Sequence, residues 1–224
     1  MAHYEIEIKT LLGSQENTDS LKSRMLELDP NMALTSTNKQ LNHYFAGDNL
    51  KQLFSVTKHL FSDEQIAKFE KIILLAISSS VRTRQRDEEV LLVVKASIDE
   101  GTSENTVSRL EFEESVALSL DELDQLVISA GYEYQAKWSR EREEYNYKDI
   151  NVCIDYNAGY GYLAEFEKIV AQESEVSAVR DNLLALMSEL GVSELPQDRL
   201  ARMFDHYNQN WPDYYGTKKT FTIE

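Results

Sequence analysis

Six segments of this chain alternate charged with apolar residues at a period of two, and this pattern restricts the fold more than any other feature. In the first segment, Ile6 and Ile8 alternate with Glu5, Glu7 and Lys9. Side chains two residues apart on a β-strand point to the same face, so each segment predicts a strand with one apolar and one charged face. Such strands are typical of an antiparallel sheet with one face in the core. The other segments lie around Val81, Leu110, Arg140, Val152 and Glu165.

Helical signals separate several of these strands. Ser62 with Gln65, and Ser119 with Glu122, each form the capping box that begins a helix. Apolar residues at helical spacing predict helices near residues 18–30, 50–61, 62–77, 119–130 and 176–190, with a last short helix at 199–207. With two further strands at 40–45 and 89–95, the sequence predicts an α+β fold around about eight antiparallel strands.

The chain is strongly acidic, and this charge limits its partners. It has 23 Lys and Arg against 39 Asp and Glu in 224 residues, a formal net charge of −16. Such a field repels a phosphate backbone, so we expect no nucleic-acid partner. The charge still permits a small polyanion that is held in a shielded cavity together with a divalent metal.

The sequence also indicates where the protein resides. The longest apolar run, residues 72–77, is far shorter than the roughly 20 residues that span a bilayer. The start of the sequence, MAHYEIEIK, lacks the apolar region of a signal peptide. Cys153 is the single cysteine, which excludes an intrachain disulfide and a cysteine-cluster metal site. We expect a cytoplasmic protein with no membrane partner.

The chain shows no boundary between domains. It has 8 Gly and 3 Pro, and no Pro-, Gly- or Ser-rich linker divides it. We therefore expect one domain over residues 1–224, with a helical insertion at about 48–79 and a helical tail at about 172–224. The sequence leaves a homodimer open, because the insertion could form an interface or only a cover.

The charged strand faces combine arginines with carboxylates. Arginine outnumbers lysine in the basic set of these faces. Its fork matches phosphate oxygens, and carboxylates are the hard oxygen ligands that Mg²⁺ or Mn²⁺ prefers. If the faces point inward, they form a polar tunnel for a polyphosphate and a metal ion. The pattern alone leaves the alternative open that they are the solvent side of the sheet.

Several motifs in the chain resemble those of the CYTH family, which is also called the triphosphate tunnel metalloenzymes. The run Glu5-Ile6-Glu7-Ile8-Lys9 matches the ExExK signature of that family. Between Phe45 and Arg82 the chain has a longer helical stretch than the family's usual connection. The remaining motifs follow in the family's order: Tyr44-Phe45, Arg82-x-Arg84, Lys95 at a strand end, Arg109-x-Glu111-x-Glu113, Arg142 with Tyr145, and Asp155 followed by Gly161 and Glu165-x-Glu167.

The resemblance implies an eight-stranded antiparallel β-barrel, a triphosphate tunnel, with surrounding helices and a helical insertion. It implies catalytic roles for Lys9, Arg109 and Glu111. The residues implied to bind the substrate triphosphate are Lys9, Arg82, Arg84, Lys95, Arg109, Arg140 and Arg142. The residues implied to bind one or two Mg²⁺ or Mn²⁺ ions are Glu5, Glu7, Glu111, Glu113, Asp155, Glu165 and Glu167.

Three functions fit this resemblance. The first is metal-dependent hydrolysis of inorganic, thiamine or nucleoside triphosphate, a small-molecule substrate. The second is a class IV adenylyl cyclase, which makes cyclic AMP from ATP. The third is a non-catalytic sensor of triphosphate or polyphosphate. We favour hydrolysis over cyclisation, because class IV cyclases often carry a His-Phe pair ahead of ExExK and His3-Tyr4 is a poor substitute for that pair. The sensor is disfavoured, because a pure anion binder gains nothing from carboxylates in its lumen.

Overall fold

A computed structural model describes residues 4–97 and 109–223, and each predicted strand and helix is present in these ranges. The strands are β1 (Tyr4–Leu11), β2 (Ala33–Ala46), β3 (Ser78–Arg86), β4 (Glu89–Ser97), β5 (Arg109–Val116), β6 (Glu133–Tyr147), β7 (Ile150–Asn157) and β8 (Gly161–Val170). The helices are α1 (Gln15–Leu28), α2 (Leu50–Thr57), α3 (Asp63–Leu75), α4 (Leu120–Ser129), α5 (Val176–Glu189) and α6 (Gln197–Tyr214).

The strands form one eight-stranded sheet in the order β1-β8-β7-β6-β2-β3-β4-β5. The paired strands run antiparallel, as in the pairs β1–β8, β6–β7 and β3–β4. The predicted α+β class with eight antiparallel strands is therefore confirmed. Because β1 and β5 are the two ends of this order, closure into a barrel stays a prediction.

Contacts divide the chain into two compact units. The first unit contains the described residues up to Lys39 and from Ser139 onward, and the second contains those of Gln40–Trp138. Each unit has its own apolar core. The number of domains stays a prediction, as does the description of residues 48–79 as an insertion.

In the first unit, helices α1 and α5 cover the apolar faces of the strands. Helix α1 begins at Ser14, whose hydroxyl accepts a hydrogen bond from the Asn17 amide. The period-two alternation of β1, β7 and β8 directs their aliphatic and aromatic residues toward these helices. The resulting core contains Ile6, Ile8, Val152, Ile154 and Phe166 of the strands, Leu21 and Met25 of α1, and Leu183 and Met187 of α5.

In the second unit, helices α2, α3 and α4 pack on the apolar faces of β2 to β5. Both predicted capping boxes are present, at Ser62 before α3 and at Ser119 before α4. Phe69 of α3 is fully buried, and its ring centroid lies 4.7 Å from that of Phe112 and 5.3 Å from that of Phe54. Aromatic residues of the helices therefore serve the core, as their helical spacing predicts.

A buried polar cluster lies within this second unit. The Asp124 carboxylate accepts hydrogen bonds from Thr83 Oγ1 at 2.5 Å and from Tyr134 OH at 2.6 Å, and it bonds His43 Nδ1 at 2.6 Å. Burial would raise the pKa of Asp124, but the hydrogen bonds from His43, Thr83 and Tyr134 lower it below its ordinary value. Saturation of this kind is what permits a carboxylate in an apolar core.

Helix α6 is longer than the short helix predicted at 199–207, because it continues to Tyr214. Tyr207 is fully buried, and its ring stacks on that of Tyr214 at 6.0 Å. Tyr214 in turn contacts Phe221 of the following segment at 5.2 Å. These aromatic contacts lie two turns along the helix and stabilise the part that the prediction omitted. No helix in the described ranges is both long and apolar enough to cross a membrane.

We expect Phe69→Ala to lower the free energy of unfolding by about 3–5 kcal/mol, because it leaves a cavity between two aromatic rings. The measurement is urea unfolding followed by circular dichroism. Leu74→Ala is the matched control on the same helix: Leu74 is 83% exposed, so its loss is expected to cost less than about 0.5 kcal/mol. Equal stabilities of the two variants would contradict this description of the core.

Candidate functional site

The charged face of the first unit is formed by β1, β6, β7 and β8. Pairing sets Lys9 opposite Glu165 and Glu7 opposite Glu167, so these four side chains share one face of the β1–β8 ladder. The next pairings set Cys153 opposite Glu165 and Arg142 opposite Asp155. The alternation that buries Ile6 and Ile8 among the helices therefore collects charged groups on the opposite face.

Asp155 is the centre of this face, and its residue is only 1% exposed. Arg142 donates two hydrogen bonds to it, from Nε to Oδ1 at 2.7 Å and from Nη2 to Oδ2 at 2.7 Å. Arg140 Nη1 donates a third to Oδ2 at 2.9 Å. A buried carboxylate is thus saturated by two guanidinium groups, one of them in the bidentate geometry that arginine favours.

Glu165 extends the cluster. Arg142 Nη2 donates to its Oε2 at 2.6 Å, and Lys9 Nζ lies 3.5 Å from its Oε1. Burial would raise the pKa of Glu165, but the positive charges of Lys9, Arg142 and Arg140 lower it to about 2. Burial would likewise lower the pKa of the Arg142 guanidinium, yet Asp155 and Glu165 raise it above its ordinary value. Both groups are therefore charged at neutral pH.

Further carboxylates line the same face of β1 and β8. Glu7 pairs with Lys9, and Glu167 lies opposite Glu7 in the strand register. Two like charges directly opposite each other are unfavourable without a cation nearby. Within the described ranges, no three Asp, Glu, His or Cys side chains are arranged to hold a metal ion. The oxygen donors suit a hard divalent cation by type, and here the protein's own cations bind to them.

The second unit also has a charged face, which is formed by residues of β2, β3, β4 and β5. We call it the arginine face, because it carries Arg82, Arg84 and Arg86 of β3. Arg84 is buried, and its Nε donates to Asn42 Oδ1 at 2.8 Å. Its Nη1 donates to both oxygens of Glu113, at 2.9 and 3.0 Å. Arg86 Nη1 lies 3.6 Å from the same Glu113 carboxylate and its Nη2 donates to Glu89 at 2.6 Å. Glu113 is therefore shared by two arginines of one strand.

Lys95 and Arg82 complete this face. Lys95 Nζ lies 3.4 Å from Glu111 Oε1, across the β4–β5 pairing. Arg82 Nη1 donates to Tyr44 OH at 2.7 Å. Burial would lower the pKa of Arg82, but Tyr44 and the charges of Glu111 and Glu113 raise it above its ordinary value.

The structure thus joins Lys9, Arg140, Arg142, Asp155 and Glu165 in one cluster of the first unit. It pairs Arg84 with Glu113, and Lys95 with Glu111, in the second. Glu5 lies on β1 two residues before Glu7, so it shares the charged face. The backbone of Arg109 belongs to β5, but its side chain lies outside the described residues. The substrate, metal and catalytic roles of all these residues stay predictions.

Sequence reasoning missed two residues of the arginine face. Asn42 Oδ1 accepts the hydrogen bond from Arg84 Nε. Trp138 contacts the Tyr44 ring, with 6.3 Å between the ring centroids. Asn42 could have been found, because it lies two residues before Tyr44 on the same strand face. Trp138 carried no signal, because its role depends on a contact between distant strands.

We expect Glu165→Gln to lower the free energy of unfolding by about 3 kcal/mol at pH 7, since it removes a carboxylate whose pKa is depressed on folding. A carboxyl group whose pKa is lower in the folded than in the unfolded state stabilises the fold at pH values above its unfolded pKa. The difference from wild type is therefore full above about pH 5 and shrinks as pH falls toward about 2.

The measurement is urea unfolding of wild type and Glu165→Gln from pH 7 to pH 3. Glu141→Gln is the matched control, because Glu141 pairs with Lys39 at 3.7 Å and is largely exposed. We expect it to change stability by less than about 0.5 kcal/mol at each pH. A Glu165→Gln difference that is independent of pH would contradict the assigned ion pairs.

Comparisons with known proteins identify the family and the fold. The model of the CYTH domain family matches residues 69–200, which is more than half of the chain. The structure is similar to the PH1819 protein of Pyrococcus horikoshii OT3, with a TM-score of 0.60 and 20% identity over 91% of this chain and 99% of that chain. A search of curated proteins finds no match.

Two similar structures have names that refer to an activity. A Vibrio parahaemolyticus protein, provisionally named an adenylate cyclase, has a TM-score of 0.59 and 15% identity over 92% of this chain and 99% of that chain. The Hippeastrum protein HpAC1, a provisional adenylyl cyclase described as having a dominant triphosphatase activity, has a TM-score of 0.50 and 16% identity over 90% of this chain and 96% of that chain. At these identities the likeness shows the fold, and the family model carries the assignment: this chain belongs to the CYTH domain family.

Proposed function

We propose that this protein is a divalent-metal-dependent triphosphatase that hydrolyses inorganic, thiamine or nucleoside triphosphate. The observation that carries the proposal is the cluster of Arg140, Arg142, Glu165 and Lys9 around the buried Asp155, in which the four surrounding side chains are partly buried. Five charged groups on the sheltered face of a sheet cost free energy of desolvation, and hydrophobic residues would stabilise such a face at least as well. A phosphate-binding role gives a reason for keeping them.

The arginines supply what phosphoryl transfer requires. The reaction forms a bond from a water oxygen to the terminal phosphorus and breaks the bond to the bridging oxygen, which releases phosphate. Its transition state carries charge on the phosphoryl oxygens, so catalysis depends on positioning and electrostatics rather than on a protein nucleophile. Asp155 fixes the Arg142 fork from one side through two hydrogen bonds. Such a fixed fork binds phosphate oxygens with little loss of conformational entropy.

Carboxylates on the same faces would hold Mg²⁺ or Mn²⁺. The candidates are Glu5, Glu7, Asp155, Glu165 and Glu167 in the first unit, and Glu111 and Glu113 in the second. When bound, the cation neutralises charge on phosphate oxygens and lowers the pKa of water. The low pKa of Glu165, about 2, keeps this carboxylate ionised for such a role at neutral pH.

Lys9, Arg109 and Glu111 are the proposed catalytic residues. Lys9 lies between Glu7 and Glu165, so its ammonium group is already desolvated in part and oriented. We assign it, with Arg109, to the phosphoryl oxygens. Glu111 pairs with Lys95 at 3.4 Å, and we assign this carboxylate to the orientation of the attacking water.

The choice of hydrolysis over cyclisation rests on two further points. The described dominant activity of HpAC1 is that of a triphosphatase, although that protein was named as a cyclase. In the present chain, His3-Tyr4 is a poor match to the His-Phe pair that class IV cyclases often carry a few residues ahead of ExExK. We expect the enzyme to act in the cytoplasm on a small-molecule triphosphate.

The test is one incubation of purified protein with ATP, thiamine triphosphate or inorganic triphosphate, each with Mg²⁺, Mn²⁺ or EDTA. We expect metal-dependent release of phosphate without cyclic AMP. Formation of cyclic AMP together with pyrophosphate would contradict the hydrolase and identify the protein as a cyclase. If triphosphate raises the melting temperature of the protein but is not turned over, the protein binds triphosphate and is not an enzyme.

We expect Arg142→Ala to lower kcat/KM for the best substrate about 100-fold or more, because it removes a preorganised cation from the charged face. Arg142→Lys keeps the charge but loses the fork, so an intermediate activity is expected. Arg180→Ala is the matched control, because Arg180 binds Glu194 in an arginine–carboxylate pair outside this cluster. Equal activities of Arg142→Ala and Arg180→Ala, with both proteins folded, would remove the cluster from the active site.

A further inference from the structure

The arginine face of the second unit has an aromatic end. Tyr44 lies directly opposite Arg82 in the β2–β3 pairing, so the two side chains share one face. The Arg82 guanidinium lies 5.5 Å from the centroid of the Tyr44 ring, and Trp138 meets that ring edge to face at 6.3 Å between centroids. Tyr44 and Trp138 are both partly exposed. Two accessible rings therefore flank one of the proposed phosphate-binding residues.

Arg82 also differs from its neighbours on β3 in its hydrogen bonding. Its Nε is buried and has no hydrogen-bond partner in the part of the chain that the structure describes. A buried, unsatisfied donor of a charged group is costly, and a natural protein retains one where a ligand or an ordered water accepts the bond. An open donor beside two rings is the combination of polar and aromatic groups that is typical of sites for organic ligands.

The net charge of the protein adds to this argument. Inorganic triphosphate is recognised by cations alone, and aromatic rings contribute nothing to its binding. A nucleoside or thiamine triphosphate carries a planar ring in addition, and such a ring stacks favourably on Trp and Tyr. A protein of net charge −16 repels an anionic substrate at long range. Stacking on an aromatic ring does not depend on charge, so it adds affinity that this repulsion does not reduce.

From these observations we infer that Trp138, with Tyr44, binds the planar ring of an organic triphosphate, so that the substrate is a ring-bearing triphosphate and not the inorganic one. This inference rests on the proposed function and names its substrate class. Trp138 is then a specificity-determining residue, and Arg82, a proposed phosphate-binding residue beside Tyr44, donates from its Nε to the triphosphate of the same substrate.

The first experiment compares steady-state kinetics of wild type, Trp138→Leu and Trp138→Phe with ATP, thiamine triphosphate and inorganic triphosphate. We expect Trp138→Leu to raise KM for the ring-bearing substrate about tenfold or more and to leave KM for inorganic triphosphate unchanged. Trp138→Phe, which keeps a ring, is expected to lie between. The matched control is Trp211→Leu, which replaces the other tryptophan of the chain and is expected to alter neither KM.

A second measurement does not depend on turnover or on the stability of the Trp138 variants. In Trp211→Phe, Trp138 is the single tryptophan, so its fluorescence reports directly on contact with a ring. We expect quenching by ATP or thiamine triphosphate in EDTA and none by inorganic triphosphate. Equal quenching by inorganic triphosphate would overturn the inference, and so would a Trp138→Leu variant whose KM rises equally for all three substrates. Either result would leave the proposed hydrolase function intact. Wild-type protein that neither hydrolyses nor binds any triphosphate would overturn both.

Discussion

The separation of apolar from charged side chains across an antiparallel sheet is the constraint on which the rest of this structure depends. In the first unit it delivers Ile6 and Ile8 to a core under helices α1 and α5. In the same strand it leaves Glu7 and Lys9 on the other face, where strand β8 supplies Glu165. A shift of one residue in any strand would exchange the two faces and would place charges in the core. The helices that cover the apolar face therefore also fix the register of the charged one.

The strands, the helix starts that carry capping boxes and the charged residues of the strand faces could be predicted from sequence, because each depends on local periodicity or on capping. Ser62 and Ser119 begin helices where their capping boxes predict. Partner choice could not be predicted, because it depends on register and on long-range contacts. Nothing local indicates that Arg142 binds Asp155, or that Asp124 gathers His43 and Thr83 in the core.

Strand β4 shows why alternation has limits as a guide. Its residues Val90 to Val94 are all buried, so it reads as a continuous apolar run rather than an alternating one. Val93 lies opposite Arg82 in the β3–β4 pairing and opposite Glu113 in the β4–β5 pairing. Aliphatic side chains therefore lie among the charged ones on the arginine face. An apolar surface of this kind lowers the local dielectric and strengthens the arginine–carboxylate pairs beside it.

The saturation of Asp155 and Glu165 by arginines has a consequence for how two ligands would share the cluster. Each carboxylate can accept an added cation only to the extent that Arg142 and Arg140 release it, and each arginine can accept an added anion only as the carboxylates release it. An anion and a cation would therefore favour each other's binding, with the same coupling free energy in both directions. A charged cluster that is neutralised from within would thus bind an anion more tightly when a counter-cation binds with it.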